Sequence, residues 1–146
     1  MEFIIKEFKV ITKAHNELIN ITDTMQQCIA ESGIEEGFLY VMSKHTTVGI
    51  VMNEGFPCVE EDILLHLSKY APEDGDYIHN HYLPSDGCIA YNAPAHMKHI
   101  VTGYFAYAPI HKGKLLVGSR MEFYVAELDG PKTRSYVIQI CGNKKS

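Results

Sequence analysis

Eight short runs rich in β-branched and aromatic residues, broken by polar and turn-forming residues, recur along this chain and constrain its fold more than any other feature. Such runs suit a pleated, half-buried surface, and Gly, Pro, Asn and Asp between them mark where a chain reverses. In FIIKEFKVI, Phe3, Ile5 and Val10 lie among charged residues with the period of two of a half-buried strand, which predicts a first strand over residues 2–12. LINIT predicts a short second one. GFLYVMS and VGIVMN, on either side of the polar break from Lys44 to Thr47, predict two more that can pair as neighbours. YFAYAPI, the turn HKGK, LLV, then MEFYVAEL, the turn DGPK and RSYVIQIC predict a meander of hairpins.

Helical patterns interrupt this series three times. TDTMQQCIAESG offers Thr22 or Asp23 as N-cap and Gly33 as a stop. From Pro57 to Tyr70, Val59, Ile63 and Leu67 form an i, i+4, i+8 stripe opposite Glu60 and Glu61, so one face is expected to pack on a sheet. APAHMKHIVTG predicts a short helix begun at Pro94 and stopped at Gly103. Residues 71–93, dense in Pro, Gly, Asp and Asn, predict an irregular segment of a length commonly given to function. The expected fold is a single α+β domain over residues 1–146, a curved mixed sheet of about seven or eight strands with about three helices. At that length a chain buries roughly two-thirds of the surface its unfolded form exposes, so it needs no disulfide or metal merely to fold.

Charge and cysteine usage narrow the partners. The formal net charge is −5, and the sole basic run is Lys144-Lys145, which offers little to a phosphate backbone, so nucleic acid is not an expected partner. No apolar run approaches the roughly 20 residues that span a bilayer, and no membrane partner is expected. MEFIIKEFKV lacks the uninterrupted apolar core of a signal peptide, so the mature chain is expected to start at Met1 and to be cytoplasmic. Cys28, Cys58, Cys88 and Cys141 form no C-x-x-C pair, which argues against a zinc ribbon or thioredoxin-like motif and for a reduced compartment.

The histidines are grouped. His79-Asn80-His81 and His96-Met97-Lys98-His99 have fourteen residues between them, and His45 stands upstream in an apolar stretch. Imidazole is the commonest metal ligand and the side chain that titrates nearest neutrality. Spacing alone leaves two uses open, a site or a pair of solvated turns. His66, in the second helix, and His111, in a turn, read as ordinary surface residues.

Four segments together resemble the YjbQ-like family, also called the secondary thiamine-phosphate synthase family: HTTVGIVMNE at 45–54, YIHN at 77–80, NAPAHMK at 92–98, and GKLLVGS with VAELDGP within 113–131. The resemblance extends over about residues 3–142. It implies that His45, His79 and His96 are the family's histidines, with His81 and His99 secondary. Three imidazoles with an open fourth position would suit a divalent metal, zinc first among them, while an acid–base dyad with a substrate-binding histidine is the competing use. Thr46, Thr47 and Lys98 then become candidate anion contacts, and Glu54 and Glu127 candidate bases. Glu54 and Asp62 also suit the start of the second helix electrostatically, and Asp129-Gly130-Pro131 suits any turn between strands. Where many relatives have G-T-W-Q, this chain has Gly118-Ser119-Arg120-Met121, and it has Lys132 where they have Arg. Arg120 is a further candidate phosphate contact.

The resemblance implies a small phosphorylated substrate, a homotrimer, and the joining of an aminopyrimidine diphosphate to a thiazole phosphate with loss of pyrophosphate. A zinc-dependent hydrolase of a phosphate or carbonyl compound is the alternative enzyme. A non-enzymatic metal- or metabolite-binding trimer is the third expectation.

Overall fold

The N-terminal alternation becomes β1 (Glu2–Ile11), in which Ile4, Lys6, Phe8 and Val10 are partly covered while the odd-numbered residues face solvent. The computed structural model describes residues 1–81 and 91–146, so Cys88 and the middle of the 71–93 segment lie outside the described residues. After β1 come β2 (Glu17–Asn20), α1 (Thr22–Ser32), β3 (Ile34–Ser43), β4 (Val48–Glu54) and α2 (Pro57–Tyr70). A 3-10 turn over Ile78–His81 precedes α3 (Ala93–Thr102), and β5 (Phe105–His111), β6 (Lys114–Leu115), β7 (Met121–Glu127) and β8 (Thr133–Lys144) follow.

Strand and helix numbers match expectation, but the strands divide between two antiparallel sheets rather than forming one curved mixed sheet. One sheet has the order β1-β8-β3-β5-β6 and the other β2-β7-β4. Two expected pairings are therefore corrected. β3 and β4 lie in different sheets, because β3 takes β8 and β5 as neighbours and β4 takes β7. β7 and β8 form no hairpin, since DGPK carries the chain from one sheet to the other. The β5–β6 hairpin stands as expected, on a two-residue turn in which Lys112 and Gly113 both have positive φ (51° and 72°).

The sheets pack face to face. Leu39 and Val41 of β3, Ala108 and Ile110 of β5, and Ile138 and Ile140 of β8 meet Val48 and Ile50 of β4 and Phe123 and Val125 of β7, with Met25 and Ile29 of α1 closing the same core. Helix α1 stops at Gly33 in the left-handed region (φ 70°), as its sequence predicts. Its start differs: Ile21 is the N-cap, and the Asn20 side chain accepts from the Thr22 N–H at 2.9 Å. The expected cap, Thr22, spends its hydroxyl on the Phe123 N–H at 2.9 Å.

A second cluster covers the other face of the three-stranded sheet, where Ala126, Leu128, Leu18 and Val51 meet Ile63 and Leu67 of α2 and Ala95 of α3. Helix α3 comes unusually close to β4. A Cβ on Gly49 would stand 2.0 Å from Thr102 Oγ1, and the Ile50 N–H donates to Gly103 O at 3.1 Å. Only glycine permits that approach.

Candidate functional site

Helix α3 sets out the site. It presents His96 and His99 three residues apart, and the turn Ile78–His81 lays His79 against His96 with ring centroids 5.2 Å apart and planes at 84°. His99 is adjacent to His96, whose charge lowers its pKa after the larger effect of burial, while the His45 backbone carbonyl pulls the other way. The histidines thus form a row leading from the segment after α2 to the end of β3.

A chain of hydrogen bonds fixes the His79 ring. Asp129 accepts from Lys132 Nζ at 2.7 Å and from Asn92 Nδ2 at 3.1 Å. Burial pushes the Asp129 carboxyl up, but those bonds outweigh it and hold the group below its ordinary value, so it is ionised and can only accept. Asn92 must therefore turn its NH2 toward Asp129 and its oxygen toward His79, whose Nε2 lies 3.0 Å from Asn92 Oδ1. His79 Nε2 is then the donor, and in the neutral ring Nδ1 carries the lone pair. Asn92 is the N-cap of α3 but makes no side-chain cap bond, its amide being spent on this relay.

His45 is held in the opposite tautomer. The Ser135 backbone N–H donates to its Nε2 at 3.0 Å, and a backbone N–H cannot accept, so the neutral ring carries its proton on Nδ1. Burial lowers its pKa most, and the Arg134 charge lowers it further. His45 lines a cavity of about 500 Å³ with Met42, Ser43, Lys44, Thr46, His99 and Tyr104.

The remaining sequence candidates separate. Glu127 is completely buried, and both its oxygens are engaged: Arg134 Nε and NH2 donate at 2.8 and 2.7 Å, Thr12 Oγ1 at 2.6 Å, and the backbone N–H groups of Leu128 and Asp129 at 3.0 and 3.2 Å. Burial raises its pKa, but these bonds together hold it below its ordinary value. It anchors the crossing between the sheets and has no oxygen left for a substrate. Thr47 belongs to the same network, accepting from Arg134 NH2 at 3.0 Å, whereas Thr46 faces the cavity. Lys98 is 1 % exposed and its Nζ donates to Glu73 at 3.0 Å and Asn16 at 3.2 Å, so its charge ties α3 to the segments flanking the site. Glu54 and Arg120 pair with each other at 3.4 Å. They stand at the far end of β4 from the histidines, about 20 Å along an extended strand from Val48.

These positions bear on a metal. His79 and His96 adjoin, but His45 Nε2 is taken by a backbone donor, and among the described residues no three or more His, Cys, Asp or Glu side chains are grouped to hold an ion. The residues do not fit a ready-made three-histidine zinc centre. The N-terminus of α3 offers no open anion cradle either: the Ala93 N–H meets Asn80 Oδ1 at 3.4 Å, Pro94 has none, and the Ala95 and His96 N–H groups meet Asn92 O at 3.0 and 3.4 Å.

Sequence reasoning missed Asn92, Arg134, Ser135 and Tyr104, and ranked His99 second. Asn92 lay inside the quoted NAPAHMK motif, so its signal was available. Ser135 acts through its backbone, which no residue type reveals.

Comparison with known proteins gives a consistent result. The family model described as UPF0047 protein YjbQ-like matches residues 6–143. A UPF0047 protein of Methanocaldococcus jannaschii is 31 % identical over 139 residues, covering 94 % of each chain. YugU, a UPF0047 protein of Bacillus subtilis, is 31 % identical over 140 residues, covering 95 % of this chain and 100 % of its own. Among solved structures, a YbjQ-like protein of unknown function from Sulfolobus solfataricus superposes with a TM-score of 0.89 at 29 % identity, over 97 % of this chain and 99 % of that one. An uncharacterised YjbQ/UPF0047 family protein from Clostridium acetobutylicum gives 0.82 at 34 % identity, over 93 % and 99 %.

Proposed function

This chain belongs to the YjbQ-like UPF0047 family, and from that premise we propose that it is an enzyme in which His79 and His96 move protons at a small phosphorylated substrate. The observation that carries the reading is the relay Lys132–Asp129–Asn92–His79, which fixes one tautomer of an imidazole beside a second imidazole. A side chain whose only task is solvation needs no such orientation. His79, oriented by that relay, and His96 beside it would share the two proton transfers, one taking a proton from a water nucleophile and the other returning one to the leaving oxygen. That is hydrolysis of a phosphate ester, with the P–O bond to water formed, the ester P–O bond broken and the proton count unchanged.

The joining of an aminopyrimidine diphosphate to a thiazole phosphate is the second reading. It would use His96 alone, to protonate the departing pyrophosphate, and the cavity beside Tyr104 would hold a ring. Against it stands the engagement of Lys98 with Glu73 and of Arg134 with Glu127, since a leaving pyrophosphate calls for uncommitted positive charge.

The assembly proposed is a homotrimer, and self-association is supported by the outer face of the five-stranded sheet, where Tyr40, Met42, Phe105 and Tyr107 stay 40–48 % exposed, Tyr40 stacking on Phe105 and meeting Tyr107 edge-on. Among the described residues no helix is long and apolar enough to cross a membrane. A cytoplasmic setting accords with free Cys28, Cys58 and Cys141.

The test is turnover by purified protein of simple phosphate esters and, separately, of the two thiamine-phosphate precursors, beside His79→Ala, His96→Ala and Asn92→Ala. A loss of about 10²-fold or more in either histidine variant is expected. Equal rates in all four proteins would reject the enzymatic reading. Elemental analysis after zinc reconstitution belongs to the same experiment: stoichiometric zinc retained by wild type and lost by both histidine variants would replace proton transfer with metal chemistry.

A further inference from the structure

Helix α3 is fastened at both ends. At its start Asn92 Nδ2 donates to Asp129 at 3.1 Å, and just past its end Gly103 O accepts from the Ile50 N–H at 3.1 Å. A helix held only at its ends still turns about its own axis, and such a turn carries the His96 ring toward or away from His79. A third fastening lies between them. Lys98 stands two residues on from His96, about 200° around the axis, so its side chain leaves the helix on nearly the opposite face. It is 1 % exposed, and its Nζ donates to Asn16 Oδ1 at 3.2 Å and to Glu73 Oε1 at 3.0 Å.

Neither acceptor belongs to α3. Asn16 lies on the link between β1 and β2, and Glu73 follows α2. That link is itself seated on the turn that carries Asp129: the Gly130 N–H donates to His15 O at 3.0 Å, and a Cβ on Gly130 would stand 2.3 Å from Ala14 O. Burial pushes the Glu73 carboxyl up, but Lys98 and, beside it, His15 hold it below its ordinary value, so the lysine meets a charged partner. We propose that Lys98 is a positioning residue: through Asn16 and Glu73 it sets the roll of α3, and so the geometry at which His96 meets His79, without touching the substrate. An ammonium so enclosed, on the face turned from His96, is placed for a tether and not for a substrate contact.

The consequence for catalysis rests on the proton-transfer reading of His79 and His96, but the geometry is read without turnover. Long-range nitrogen NMR gives the ring resonances of both histidines, assigned from His79→Ala and His96→Ala, and hydrolysis of p-nitrophenyl phosphate gives the rates. Lys98→Met fills much of the volume of the lysine stem and leaves Glu73, half exposed, to turn to water. It is expected to move the His79 and His96 resonances and leave those of His111 in place, and to lower kcat about 10²-fold with KM nearly unchanged. Asn16→Ala should move the same resonances by less, and Asn16→Asp, which keeps the acceptor, should restore them. Because Asn16 acts through Lys98, the double variant Asn16→Ala/Lys98→Met should be no worse than Lys98→Met alone. Unmoved resonances in folded Lys98→Met, a raised KM with kcat kept, or a further loss in the double variant would each overturn the assignment. If Lys98→Met does not fold, Asn16→Ala, a change on a link between strands, decides the question by the same resonances. Absence of turnover in wild type with the resonance pattern as expected would remove the catalytic reading and leave Lys98 as the tether of the imidazole pair.

Discussion

Arg134 leaves Glu127 no oxygen with which to do chemistry, and the pair therefore shows its weight in stability. Removing the guanidinium strands a carboxylate at the centre of the molecule, so Arg134→Met is expected to cost about 3–5 kcal/mol in urea unfolding, with much of it recovered in the double variant Glu127→Leu/Arg134→Met. The acid limb of stability has two parts. His45 and His99 have folded pKa values below their unfolded ones, so their contribution is present above about pH 6.5 and is lost as pH falls through the lower folded values. Glu127 is also depressed, and its contribution is lost in a lower window, beginning near the carboxyl's unfolded value of about 4.3. Thermal melts from pH 7.5 to 3 should show both declines, and His99→Phe should flatten the first. The sequence announced these residues by type, but not their employment. Glu127 and Arg134 stand seven residues apart across a turn, and nothing local reveals that they clasp inside the core. Lys98 likewise reads as a surface cation on a helix until Glu73 and Asn16 are seen to close over it.

Among the elements, α2 was legible to the residue because its signals are local: proline at the first turn, an apolar stripe, and Ala71-Pro72 at the end. The partition of the strands was not. Alternating patterns say that a segment is a strand with one buried face, but β4 and β8 obtain that face from partners far away in sequence, and either sheet would satisfy the pattern. The close approach at Gly49 shows how tightly the elements are fitted. Gly49→Ala sets a methyl against Thr102 and the Gly103 carbonyl, and overpacking of this kind costs about 1–3 kcal/mol. Because it also displaces the end of α3, it should disturb the His99 ring resonances more than those of His111, which a comparison of histidine NMR spectra would check. Resonances equally disturbed at both would mean that α3 is not seated through Gly49.

For the whole molecule the exposed aromatic face is the feature that a solitary chain would find hardest to keep. Phe3, Ile5, Tyr40, Met42, Tyr104, Phe105, Tyr107 and Leu116 are each 40–66 % exposed. Roughly 100 Å² from each such side chain approaches the ~800 Å² that one partner contributes to a standard interface. Multi-angle light scattering at micromolar concentration is expected to give three times the chain mass, and Tyr40→Lys/Tyr107→Lys to give the monomer with its thermal melt preserved. A wild-type monomer would refute the assembly. The place of β8 has a different kind of consequence. It is last in order along the chain, yet it is the inner strand between β1 and β3. A growing polypeptide can therefore assemble the smaller sheet once β7 has emerged, while β1 and β3 wait with their facing backbone groups unpaired. Folding of the larger sheet is bound to the end of synthesis of this stretch, and its long-range pairings place it among the millisecond-to-second folders. Until β8 arrives, the two waiting strands are edges that another nascent chain on the same message could seize.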